Sequence, residues 1–263
     1  LTDPASGHTW RVWVQRPSGP APATGHPVLW VLDGNAAFAL AAQLARNDAA
    51  RPTPVRPDST LVVGIGHPAD APYTPAWRQR DYTPPEPGQA ATPESGGADA
   101  LLDFLARVLQ PWAARTFAID PQRQTLSGHS FGGLFVLHAL FTRPMLFSRY
   151  AAASPSIWWG QAQVLRSADR FVARHSGAER PFNARLQLRV GGLETAEAAA
   201  TPERAAVQTE RRIIDNAQTL AHRLNALRWP ELTADFAICP GLDHGGVMAQ
   251  ALIDALALAQ RPR

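Results

Sequence analysis

The 263 residues include 25 arginines, no lysine and 22 acidic side chains, for a formal net charge of +3. A nucleic-acid partner would call for basic runs or a basic helix face, but these arginines are scattered, with Arg211-Arg212 the one adjacent pair, so no such partner is expected. A lone cysteine, Cys239, excludes an intrachain disulfide, and no apolar run is long enough to span a bilayer.

The length suits one α/β domain, and residues 1–263 are read as such, with no linker or internal repeat. The first residues lack the basic and apolar regions of a signal peptide. The chain starts almost on its first strand, so the compartment stays open between periplasm and cytoplasm of a bacterium. Cys239 is expected at a strand end, as a small buried hydrophobe.

In chain order, His8 to Arg16 alternates Trp10, Val12 and Val14 with polar residues, the pattern of a half-buried strand. Val28 to Leu32 is a continuous apolar run of the kind buried on both faces of a parallel sheet, and it delivers Asp33-Gly34-Asn35. A helix is predicted from Ala36 to Arg46 and a second buried strand over Leu61 to Ile65. Prolines crowd Arg51 to Pro93, which reads as an extended surface loop carrying Arg78-Gln79-Arg80-Asp81.

Apolar spacing predicts a helix from Ala98 to about Arg115, a strand over Arg123 to Ser127 and a helix from Phe131 to Phe141. Strands follow at Tyr150 to Ala153, Arg185 to Val190 and Thr233 to Cys239. One long helix is predicted over Pro202 to Leu227 and a closing helix over Gly246 to Gln260. Strands alternating with helices select a mostly parallel central sheet with helices on both faces.

The chemistry centres on Gly128-His129-Ser130-Phe131-Gly132, a G-x-S-x-G turn between a strand and a helix, which lifts a serine hydroxyl clear of the backbone. Such a serine needs a base, and in this architecture the acid and the base follow it in the order Ser, Asp/Glu, His. His244, after the last strand in Asp243-His244-Gly245-Gly246, is the expected base. Glu194, ending the strand between, is the expected acid. Asp243 competes for that role, although a neighbour in sequence rarely reaches the adjacent ring, and a Ser-His dyad stays open. An oxyanion hole is expected from the backbone N–H of Phe131 and from Gly34-Asn35. No metal and no cofactor are called for.

The segments Val31 to Asn35, Arg80-Asp81-Tyr82-Thr83-Pro84, Gly97-Ala98-Asp99, Gly128 to Phe135, Ser154-Pro155-Ser156-Ile157-Trp158-Trp159 and Asp243 to Gly246 resemble those of the siderophore trilactone esterases. The likeness runs from about Val28 to Met248. It implies an esterase of the α/β-hydrolase fold that opens enterobactin- or salmochelin-type macrolactones, ferric or iron-free, with Ser130 as nucleophile and His244 as base. It further implies that Arg78 or Arg80 pairs with catecholate oxygens and that Trp158 and Trp159 offer faces to the rings. A general carboxylesterase of small acyl or aryl esters would share the catalytic residues, and a catalytically silent siderophore-binding protein would share the cleft.

Overall fold

A computed structural model describes residues 1–51, 60–85, 91–177 and 179–262. Its seven strands lie in one sheet of order β1-β3-β2-β4-β5-β6-β7. The strands are β1 (Arg11–Gln15), β2 (His26–Val31), β3 (Leu61–Gly66), β4 (Ile119–His129), β5 (Arg149–Ala153), β6 (Ala184–Gly191) and β7 (Leu232–Cys239). The chain groups into two compact units, residues 1–127 with 252–263, and residues 128–251.

In the first unit β2 pairs parallel with β3 and with β4, and β1 pairs antiparallel with β3. Every residue of β2 and β3 is buried, as expected of apolar runs covered on both faces. Helix α1 (Gly34–Ala49) opens two residues before the predicted start, so Gly34 and Asn35 are its first turn. In the second unit β5, β6 and β7 pair in parallel. Helix α5 (Phe131–Thr142) is buried at every residue from Gly132 to Phe141, matching an apolar sequence without a polar face. Cys239 is buried at the end of β7.

Four segments depart from the pattern-based reading. The proline-rich stretch contains helix α2 (Pro75–Tyr82), whose Pro75 sits in the first turn, where its missing N–H costs nothing. Residues 52–59 and 86–90 of that stretch lie outside the described residues. The predicted helix from Ala98 is α3 (Ala98–Phe104), a π-helical turn over Leu105–Leu109 and α4 (Gln110–Thr116). An unforeseen helix, α6 (Trp159–Arg174), buries Val164, Ala168 and Phe171.

The long helix after Pro202 is two helices, α7 (Pro202–Arg211) and α8 (Ile213–Ala226), broken at Arg212, which takes a left-handed φ of 44°. Their burial explains the break. Helix α8 buries Ile213, Ala217, Leu220, Ala221 and Leu224, whereas α7 buries no residue. The closing helix is α9 (Val247–Ala259), and no helix among the described residues is long and apolar enough to cross a membrane.

An ion pair and a buried, hydrogen-bonded carboxylate tie α2 into the first unit. Arg78 donates from Nε and Nη2 to the two carboxylate oxygens of Asp33, at 2.7 and 3.1 Å. Asp81 is buried. Its Oδ2 accepts from Trp10 Nε1 at 3.0 Å and from Arg80 Nη2 at 3.0 Å, and it lies 2.9 Å from His67 Nε2. Burial pushes its carboxyl up, but the hydrogen bonds from His67 and Arg80 outweigh that and hold it below the usual carboxylate value. Removing this anion leaves its partners without a counter-charge, so Asp81→Ala is expected to cost about 3 kcal/mol in urea unfolding. A cost under about 1 kcal/mol would show the cluster to be dispensable.

Candidate active site

Strand β4 ends at His129, and the backbone reverses at Ser130 with φ 61° and ψ −115°, a strained conformation for a residue with a side chain. Three backbone hydrogen bonds fix it. Ser130 N–H donates to Ala153 O at 2.9 Å, and Ser130 O accepts from Leu134 N–H at 3.0 Å and Ser156 N–H at 3.1 Å. The turn closes because Gly128 has no side chain: a Cβ there would lie 2.5 Å from the carbonyl carbon and oxygen of Gly132.

The hydroxyl of Ser130 lies 3.1 Å from Nε2 of His244, and Nδ1 of His244 lies 2.7 Å from Oε2 of Glu194. This line brings together the three residues expected from chain order, all in the second unit. The imidazole of His244 is about one-third exposed, while the Glu194 side chain is fully buried. The second carboxylate oxygen, Oε1, accepts from Gly191 N–H at 2.7 Å and from the hydroxyl of Ser154. Burial raises the Glu194 carboxyl, but the hydrogen bonds from His244, Ser154 and Gly191 outweigh it and hold the group below its usual value.

Close packing delivers the histidine to this acid. A Cβ on Gly191 would sit 2.5 Å from Leu242 O and 2.8 Å from Asp243 O, so only glycine lets the end of β6 lie against the loop that carries His244. The same loop is held by His129, whose Nε2 lies 2.6 Å from His244 O. Asp243, the competing acid, is exposed, and its Oδ1 accepts from Gly246 N–H at 2.7 Å, which ties it to the turn before α9.

Phe131 is the first residue of α5, in the turn whose N–H groups have no partner within the helix. Its ring meets Trp159 edge-on at 4.9 Å and lies 6.2 Å from Trp158. Gly34 and Asn35 are in the first unit. The Asn35 side chain accepts from His67 N–H at 2.9 Å and donates to His67 O and Ala69 O at 3.1 and 2.7 Å. Arg78 and Arg80 are also in the first unit, with the guanidiniums engaged by Asp33 and Asp81. Among the described residues no cluster of His, Cys, Asp and Glu is arranged to hold a metal ion.

Two serines were read as part of a motif but given no role. Ser154 is fully buried with φ 38° and bonds Glu194, and Ser156 Oγ lies 3.4 Å from Ser130 Oγ. The available signal was their place just after β5, since groups at the carboxyl ends of parallel strands converge.

Residues 4–225 match the model of a family described as "Putative esterase". The "Ferri-bacillibactin esterase BesA" of Bacillus subtilis is 34% identical over 97% of this chain and 86% of its own length. The "Siderophore enterobactin esterase" of Emericella nidulans is 35% identical over 89% of the chain and 82% of that protein. Among solved structures, the BES protein of Bacillus cereus superposes with a TM-score of 0.85 at 29% identity, covering 100% of this chain and 93% of that one. The siderophore hydrolase EstB of Aspergillus nidulans superposes with a TM-score of 0.86 at 29% identity, covering 99% and 92%. Strand order, elbow and these likenesses agree: the chain belongs to the "Putative esterase" family and is a carboxylic ester hydrolase of the α/β-hydrolase fold.

Proposed function

We propose that this chain is a single α/β-hydrolase domain that cleaves the ester bonds of a catecholate siderophore trilactone through an acyl-enzyme on Ser130. The single-domain reading is supported by the family match, which runs through residues of both compact units. The substrate reading is supported by the relatives, whose names specify esterases of ferri-bacillibactin and enterobactin. The observation that carries the mechanism is the hydrogen-bonded line from Ser130 through His244 to Glu194.

His244 takes the Ser130 proton as the alkoxide attacks an ester carbonyl, and the developing oxyanion accepts from the Phe131 N–H. The protonated imidazole then gives its proton to the leaving alkoxide oxygen of the substrate, and water activated by the same ring releases the acid. Glu194 holds the ring with Nδ1–H toward itself and balances the imidazolium charge. Any iron belongs to the substrate.

Chromatography of ferric and iron-free enterobactin incubated with the protein tests this reading. Linear fragments are expected with the wild type, and Ser130→Ala is expected to slow their release on the order of 10⁴- to 10⁶-fold. An intact macrolactone alongside Ser130-dependent hydrolysis of a small aryl ester would leave the mechanism standing and remove the siderophore assignment. Glu194→Gln is expected to lower kcat by about 10²- to 10⁴-fold, through loss of the tautomer and its counter-charge. A wild-type kcat would make the site a Ser-His dyad.

Glu194 also links stability to pH. Its folded pKa is depressed, so its stabilisation is complete above the unfolded carboxylate pKa of about 4.3 and is lost as pH falls through the lower folded value. In urea unfolding the gap between wild type and Glu194→Gln is therefore expected to be constant near neutrality and to close below about pH 4. A gap independent of pH would show that the buried carboxyl is not ionised.

A further inference from the structure

Arg211 ends α7, and its guanidinium carbon lies 4.4 Å from the centroid of the Trp158 ring. Trp158 meets Trp159 at 5.9 Å, and both approach Phe131, the residue after Ser130. The three aromatic residues and Arg211 are only partly buried, so they form an accessible wall beside the elbow. The chain route agrees, since Trp158 and Trp159 follow Ser156, whose N–H bonds Ser130 O.

Two groups in this wall lack, among the described residues, the partner that their chemistry calls for. Some arginines of the second unit pair with carboxylates: Arg180 with Glu231, Arg189 with Asp235, Arg212 with Asp215 and Arg223 with Asp169. Arg211 has no carboxylate partner among the described residues, although its backbone O accepts from Asn216 Nδ2 at 3.0 Å. The indole Nε1 of Trp158 is buried without an acceptor among the described residues. The indole N–H is covered, so the part-exposed Arg211 guanidinium is the group left to take an anionic oxygen.

We propose that Arg211, Trp158 and Trp159 form a subsite for an aromatic ring bearing an anionic oxygen. The proposal rests on the esterase mechanism at Ser130 and deepens the siderophore reading. The guanidinium keeps its place on the indole face and offers its in-plane N–H edge to the oxygen, because stacking leaves that edge free. The ring packs against Trp159. Arg78 and Arg80, already held by Asp33 and Asp81, are not required for this recognition.

The test uses the full chain and two serine esters that differ only in charge, N-benzoylserine methyl ester and N-(4-sulfobenzoyl)serine methyl ester. Wild type is expected to show the lower KM for the sulfonated ester. Arg211→Ala is expected to change the ratio of the two KM values about tenfold against the anion, with kcat tracking equally for both. Arg211→Lys is expected to recover part of the ratio, since it keeps the charge but loses the fork. Calorimetric binding of N-(4-sulfobenzoyl)serine, lost in Arg211→Ala and weakened in Trp158→Phe, gives a readout independent of turnover. An unchanged KM ratio, or binding unaffected by Arg211→Ala, overturns the subsite. Since α7 buries no residue, the Arg211 variants are expected to melt with the wild type. If the charge preference depends on Arg211 while enterobactin stays intact, the subsite stands and the siderophore assignment falls. If enterobactin is cleaved but no charge preference depends on Arg211, the siderophore assignment stands and the subsite falls.

Discussion

A carboxylate taken out of water must be repaid in hydrogen bonds, and the buried Glu194 imposes that condition on much of the second unit. Its two oxygens require donors from different parts of the chain: the ring of His244, the N–H of Gly191 and the hydroxyl of Ser154. Each donor explains an otherwise awkward feature. Ser154 holds a positive φ that its side chain disfavours, with its N–H bonded to Arg189 O at 2.7 Å. Gly191 must be glycine because the loop bearing His244 presses on it. Were the carboxyl to lose its charge, the imidazole would lose the acceptor that sets its tautomer.

Strain at the elbow follows the same logic. The positive φ of Ser130 persists because the backbone around it is over-determined, by hydrogen bonds to Ala153, Leu134 and Ser156 and by the contact between Gly128 and Gly132. The result is a hydroxyl whose direction does not depend on side-chain packing alone. It meets a partly exposed imidazole on one side and Ser156 on the other.

Most of the architecture was legible in the sequence because burial on both faces leaves unmistakable apolar runs, as in β2, β3 and α5. The order of Ser130, Glu194 and His244 was legible because parallel strands put their carboxyl ends at one edge. What stayed hidden depends on partners far away in sequence. Nothing near Arg78 marks it as the partner of Asp33, 45 residues earlier, so it read as a loop arginine offered to a catecholate. The break at Arg212 falls at a residue with no turn preference, and only the difference in burial between α7 and α8 accounts for it. Ser154 read as motif rather than as ligand because its acceptor lies 40 residues downstream.

Helix α7 carries Arg211 yet contributes nothing to the core. Substitutions along such a helix typically alter stability by no more than about 0.5 kcal/mol, whereas breaking a buried hydrogen-bond network such as that of Glu194 belongs to the costly changes. On the proposed assignments the protein separates two kinds of inheritance. The reaction rests on residues packed into the fold and selectivity on a helix that buries none, so selectivity can change without the chain first having to be restabilised.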